Sequence, residues 1–159
     1  MDNDLKQLLD APYSFRVRPK AVDATDRLSW RLYIALLIVG RGTARGGCSL
    51  QRLQLLNWAA LAPKHHEALN NAQERTAAVD RLDVRFDPAL DRTLTFALAS
   101  NLLEYDQNGK FRLTDDGQTA LEEIPEHDSA FEQPIKLMES VGRKLTEARI
   151  SALLTWGLK

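Results

Sequence analysis

The sequence predicts a mainly α-helical fold with one small β-hairpin, and three observations carry that prediction. Asp87-Pro88 supplies a helix N-cap and a proline at the first helical position, and Leu90, Leu94, Ala97 and Leu98 follow at helical spacing. Leu102-Leu103-Glu104-Tyr105 and Phe111-Arg112-Leu113 read as short strands around Asn108-Gly109, the strongest two-residue hairpin signal. Thr114 can cap one more helix, which must stop before Pro125. Helix, hairpin wing and helix, in that order, form the second half of a winged helix. Nothing in that stretch is catalytic.

The other elements follow along the chain. Residues 1–24 read as an extended N-terminal arm. Leu5, Leu8 and Leu9 suit a short amphipathic helix, and Tyr13, Phe15 and Val17 alternate with Ser14, Arg16 and Arg18 between Pro12 and Pro19. Such a stretch can pair with a sheet edge, lie on a partner, or cover its own domain. Residues 25–126 form the winged-helix domain. Thr25 or Asp26 opens its first helix and Gly40 ends it. Leu32 to Val39 is apolar nearly all the way round, which places that helix at the centre. Ser49 caps a second helix with Leu50, Leu53, Leu56 and Trp58, and the span from Pro63 to Val79 holds a third. Residues 127–159 form a C-terminal helical extension that packs on the same domain or on a partner. Its helices run from Gln133 to Val141, with Pro134 in the first turn, and from Glu147 to Trp156 behind Thr146.

Bulk properties limit the function classes. A chain of 159 residues, 44% hydrophobic and 27% charged, suits one domain with a real core. A net charge of −1 argues against a general nucleic-acid coat, yet the charge is uneven. Arg16, Arg18, Lys20, Arg27, Arg31, Arg41, Arg45 and Arg52 face only Asp23 and Asp26 in the same span, whereas acids outnumber bases after Asn101. Cys48 is the only cysteine, which removes an intrachain disulfide and a multi-cysteine zinc site. The N-terminus lacks a signal-peptide pattern and the longest apolar run falls far short of a bilayer span. A soluble cytoplasmic protein is expected, with no membrane contact.

Candidate chemistry is sparse. The loop from Gly40 to Ser49 has glycines, Arg41, Arg45 and a following helix N-terminus, the ingredients of a phosphate cradle, but not the lysine of a nucleotide-hydrolysing loop. Arg41, Arg45 and Arg52, with Lys110 and Arg112 on the wing, are therefore candidate contacts to a phosphate or to a partner's acidic patch. A mobile surface loop is the favoured reading, and such contacts are the alternative to it. His65-His66 are adjacent and point apart on a helix, and Asp115-Asp116 and Glu122-Glu123 read as solvated pairs. No catalytic residue, metal ligand or cofactor site is expected. The candidate recognition helix, Pro88 to Ser100, turns Asp91, Arg92, Thr95 and Ala99 outward, a poor electrostatic match for duplex DNA. Arg92, with Leu153 and Trp156 on the last helix, is accordingly a candidate protein interface.

Several strings resemble one family. Arg18-Pro19-Lys20-Ala21-Val22-Asp23, Trp30-Arg31-Leu32, and Ser49 to Ala59 with its Leu56-Asn57-Trp58-Ala59 are similar to the small middle component of ABC-three-component systems. The likeness continues through Val84-Arg85-Phe86-Asp87-Pro88-Ala89-Leu90-Asp91-Arg92, Leu113-Thr114-Asp115-Asp116-Gly117, and Val141 to Glu147. These systems are similar to Lamassu-type bacterial antiviral defence, which combines an SMC-like ATPase, an effector such as a nuclease, and a small accessory subunit. The resemblance implies a non-enzymatic subunit that docks on the ATPase and helps hold or release the effector, with DNA sensed mainly by the whole complex. A winged-helix DNA-binding transcription regulator is the alternative.

Overall fold

The structure is a computed structural model and describes residues 27–43, 47–74, 82–123 and 129–154. Helix α1 (Leu28–Arg41) buries Ile34, Ala35, Leu36, Leu37, Ile38 and Val39 in one unbroken run. A helix apolar on every side must be covered on every side. The cover comes from α2 (Leu50–Ala60), α4 (Pro88–Ala99), α5 (Asp115–Glu122), α6 (Ser129–Ser140) and strand β2 (Phe111–Leu113). Helix α3 (Pro63–Glu74) packs on α2, and α7 (Glu147–Leu153) packs on the same helix after a short 3-10 turn, Gly142–Lys144. The fold is thus mainly helical with one small antiparallel sheet, and no described helix is long and apolar enough to cross a membrane.

Local capping explains most helix starts. Ser49 Oγ accepts from Arg52 N–H, Asp87 Oδ1 from Ala89 N–H, Thr114 Oγ1 from Gly117 N–H and Thr146 Oγ1 from Arg149 N–H. Helix α1 differs: the Arg27 side chain at its N-cap position makes no capping hydrogen bond, and Thr25 and Asp26 lie outside the described residues. Gly40 does not end α1 as its type predicts. A Cβ there would lie 2.3 Å from Leu121 Cδ2 and 2.9 Å from Leu113 Cδ1, so this glycine lets α5 and β2 approach the helix. The helix closes instead at Gly42, whose N–H donates to Ile38 O.

Helix α6 also begins earlier than its sequence predicts, at Ser129, so Phe131 lies within it and Pro134 sits inside rather than in the first turn. Proline removes the N–H that would bond Ala130 O. The Trp30 indole Nε1–H donates to that carbonyl at 3.2 Å, which offsets the loss. Helix α7 stops at Leu153, short of the predicted Trp156, and residues 155–159 lie outside the described residues.

Strand β1 (Leu103–Tyr105) pairs antiparallel with β2, Leu103 opposite Leu113 and Tyr105 opposite Phe111. The hairpin is not the two-residue turn that Asn108-Gly109 suggests. Asp106 O accepts from Gly109 N–H, only Gly109 of that pair takes a positive φ, and Asp106 N–H bonds Lys110 O. This is the longer form in which a left-handed glycine follows the turn. Cys48 adds an antiparallel bridge to Phe111, N–H to O at 2.8 and 2.9 Å. The chain from α1 therefore contributes one rung to the hairpin before α2 begins.

Candidate functional site

Helix α4 presents two faces. Leu90, Thr93, Leu94 and Ala97 point to the core, whereas Asp91, Arg92, Thr95, Phe96 and Ala99 are exposed. Its start is fixed by Asp87, which ties three helices together. Oδ1 caps α4, and Oδ2 accepts from Arg31 Nη1 at 2.6 Å and from Asn57 Nδ2 at 3.1 Å. Burial pushes this carboxyl's pKa up. The Arg31 bond and charge, with the Ala89 and Asn57 bonds, outweigh that push and hold it below the ordinary aspartate value. The carboxylate is thereby the hinge pin that sets α4 against α1 and α2.

Between α1 and α4 lies a groove of about 480 Å³, lined by Leu28, Arg31, Ala89, Arg92, Thr93 and Phe96. Leu28 is 47% exposed and Phe96 44%, high values for large apolar side chains on two adjacent helices. Arg31 is engaged with Asp87, while Arg92 makes no hydrogen bond or ion pair among the described residues. Among the described residues that line it none is acidic, but Asp87 neutralises Arg31 at its edge. The groove's lining combines an apolar floor with a guanidinium at the edge, a chemistry that suits a protein contact. Sequence reasoning found Arg92 and missed Phe96. The signal was present, since Phe96 lies one turn beyond Arg92 and off the Leu90–Leu94–Ala97 stripe.

The other sequence-predicted contacts fare differently. Arg52 is not a surface phosphate ligand. It is buried, with Nε on Glu147 Oε1 at 3.0 Å, Nη1 on the carbonyls of Gly42 and Gly142, and Nη2 on Leu145 O at 2.7 Å. Ser49 Oγ donates to Glu147 Oε2 at 2.8 Å, so the anion drawn to the start of α2 is the chain's own carboxylate. Leu153 is not a partner contact either, because it is fully buried within the chain. Arg112 Nε meets Asp106 Oδ2 at 3.2 Å, and Asp106 also accepts from the Asn108 and Lys110 backbone N–H groups. Those bonds, the Lys110 N–H first, lower the Asp106 pKa and keep it ionised against Arg112. Lys110 is half-buried. Arg41 is half-buried beside Met138, Glu139 and Arg143, and its carbonyl accepts from Arg143 Nε at 3.2 Å. Arg45 and Trp156 lie outside the described residues.

Among the described residues, Cys48, His65 and His66 each have partners. Cys48 is buried, and burial raises its thiol pKa to about 12, far from the thiolate form. His65 stacks on Trp58 with ring centroids 4.3 Å apart and its Nδ1 lies 2.9 Å from Trp58 O, while His66 Nε2 approaches Ser140 Oγ. Among the described residues, no three histidine, cysteine, aspartate or glutamate side chains gather as a metal site. Comparisons with protein-family models, curated proteins and solved structures find no match to this chain.

Proposed function

We propose that this chain is a winged-helix accessory subunit without catalysis of its own, docking on an SMC-like ABC ATPase and its effector nuclease in a bacterial defence complex of the Lamassu type. The observation that carries the docking reading is the exposed Phe96 beside Arg92, which has no partner among the described residues, on the helix that a winged helix would use for recognition. A DNA reader needs several cations and amide side chains there, and this helix offers one arginine, one aspartate and an apolar ring. The order of elements supports the winged-helix assignment: α1, the Cys48 rung, α2, then α4, β1 and β2, with α3 as an addition between. The resemblance of the family strings is what suggests a complex of this kind.

Co-expression tests the reading. The chain, the ATPase and the effector are purified together at moderate salt, with wild type compared against Phe96→Ala and Arg92→Glu. Recovery of all three with wild type, and at least tenfold weaker recovery with either variant, is expected. An ATPase–effector pair that assembles and signals normally without this chain overturns the proposal. The element order also favours a second reading, a transcription regulator. It requires sequence-specific duplex binding that survives competitor DNA and is lost when Arg92, Lys110 and Arg112 are changed.

A further inference from the structure

Leu28 and Phe96 line the groove between α1 and α4, and Phe86 stands directly before the α4 cap at Asp87. All three are large apolar side chains, 47%, 44% and 52% exposed. Asp91 and Arg92 lie on the exposed side of α4 between the two phenylalanines in sequence, and neither side chain makes a hydrogen bond or ion pair among the described residues. Arg31 adds no open charge here, because Asp87 neutralises it at 2.6 Å. The face therefore holds one carboxylate and one guanidinium side by side, with an aromatic ring beyond each. That pattern can complement itself.

We propose that this face binds a second copy of the same chain, the two α4 helices antiparallel across a twofold axis at Asp91–Arg92. In such an interface residue i of one copy meets residue j of the other, and j meets i. Each Asp91 then lies on the other copy's Arg92. The same axis carries Phe86, five residues before Asp91, towards the level of the other copy's Phe96, four residues after Arg92. The two levels agree to within about one helical turn, a gap that a phenylalanine side chain spans. Each Phe86 thereby enters the other copy's groove of about 480 Å³, against Leu28 and Phe96. No charge opposes Asp83 or Arg85 in this register, since residues 95–100 carry none. A parallel pairing would set Asp91 on Asp91 and Arg92 on Arg92, so charge selects the antiparallel one. The inference goes beyond the docking reading: any other protein that uses the groove must first part the two copies.

Sedimentation of the full chain alone tests the proposal, with no ATPase or effector present, so its failure is distinct from failure of the docking reading. Wild type should form a concentration-dependent dimer. Asp91→Arg and Arg92→Asp each set like charges together twice, and each should raise the dissociation constant roughly tenfold or more. An equal mixture of the two variants should recover the dimer, because each chain supplies the charges that the other lacks. Melting scans run well below the dissociation constant report the monomer, so they check the fold of each variant separately from its pairing. With p-benzoylphenylalanine in place of Phe86, irradiation of mixed isotopically heavy and light chains should give heavy–light crosslinks to Leu28 and Phe96. A chain that sediments as a monomer up to about 1 mM overturns the proposal. So does a dimer indifferent to both charge variants, or a mixture of the two that stays monomeric. Crosslinks confined to single chains overturn it as well, and would assign the groove to the chain's own segments.

Discussion

Arg52 and Arg92 are the same residue type, each on an exposed-looking stretch of sequence, and the fold treats them oppositely. Arg52 spends all three guanidinium nitrogens inside the molecule, on Glu147 and on the carbonyls of Gly42, Gly142 and Leu145. Arg92 spends none. The first arginine closes the α2–α7 side of the molecule and the second leaves the α1–α4 side open. A basic residue near a glycine loop is therefore weak evidence for a ligand until its neighbours are known. What distinguishes a structural arginine from a binding one is the supply of acceptors around it.

The largest test of this contrast is Arg52→Ala. It strips three buried carbonyls and Glu147 of their donor at once, and removing one member of such a network costs about 3 kcal/mol. For a chain of this length that is a fall in melting temperature of roughly 6–12 °C. Arg52→Lys should recover little, because an ammonium cannot span the four acceptors as a planar fork does. Arg92→Ala should shift the melting temperature by less than the error of the scan. If the two alanine variants melt alike, the contrast between the sealed and open sides is wrong.

A middle-sized effect sits at the base of the open side. Asp87→Ala removes the α4 cap and leaves Arg31 without its carboxylate, a loss of about 1–2 kcal/mol by denaturant titration. The pH dependence sharpens the assignment. Because the folded carboxyl's pKa is depressed, its contribution is present above the ordinary aspartate pKa and disappears as the pH falls through the lower folded value. Wild type should therefore lose stability more steeply than Asp87→Asn on acidification below about pH 4. Parallel curves for the two proteins would remove Arg31–Asp87 as the source of the shift.

How much of this was legible beforehand depends on the range of the interaction. The Ser49, Asp87, Thr114 and Thr146 caps reach only two or three residues, so local sequence reveals them. Gly40 and Pro134 misled because their roles are set at a distance, by Leu121 and Leu113 in one case and by the Trp30 indole in the other. The Arg52–Glu147 contact joins residues 95 apart and leaves no local trace. Of the candidate site, Arg92 was legible from the helical wheel. Phe96 was obscured because an aromatic residue on a helix reads first as core. The groove itself needs the angle between α1 and α4, which no single segment encodes.

The smallest expected effect falls on the wing, and it bears on the choice between protein and DNA as the partner. Arg112 looks available in the sequence, yet Asp106 holds its Nε, and the same carboxylate is fixed by two backbone N–H groups of the turn. An arginine so paired must break that contact before it can neutralise a phosphate, so it adds little to the counterions released on duplex binding. Arg112→Ala should leave the melting temperature nearly unchanged, because the arginine of this pair is exposed. It should alter any non-specific affinity for duplex DNA, measured at several salt concentrations, by less than twofold and leave the salt slope unchanged. A slope that falls by about one unit would mean that the wing does touch the phosphate backbone. The open face would then extend from α4 to the hairpin, and DNA would regain its place as the occupant.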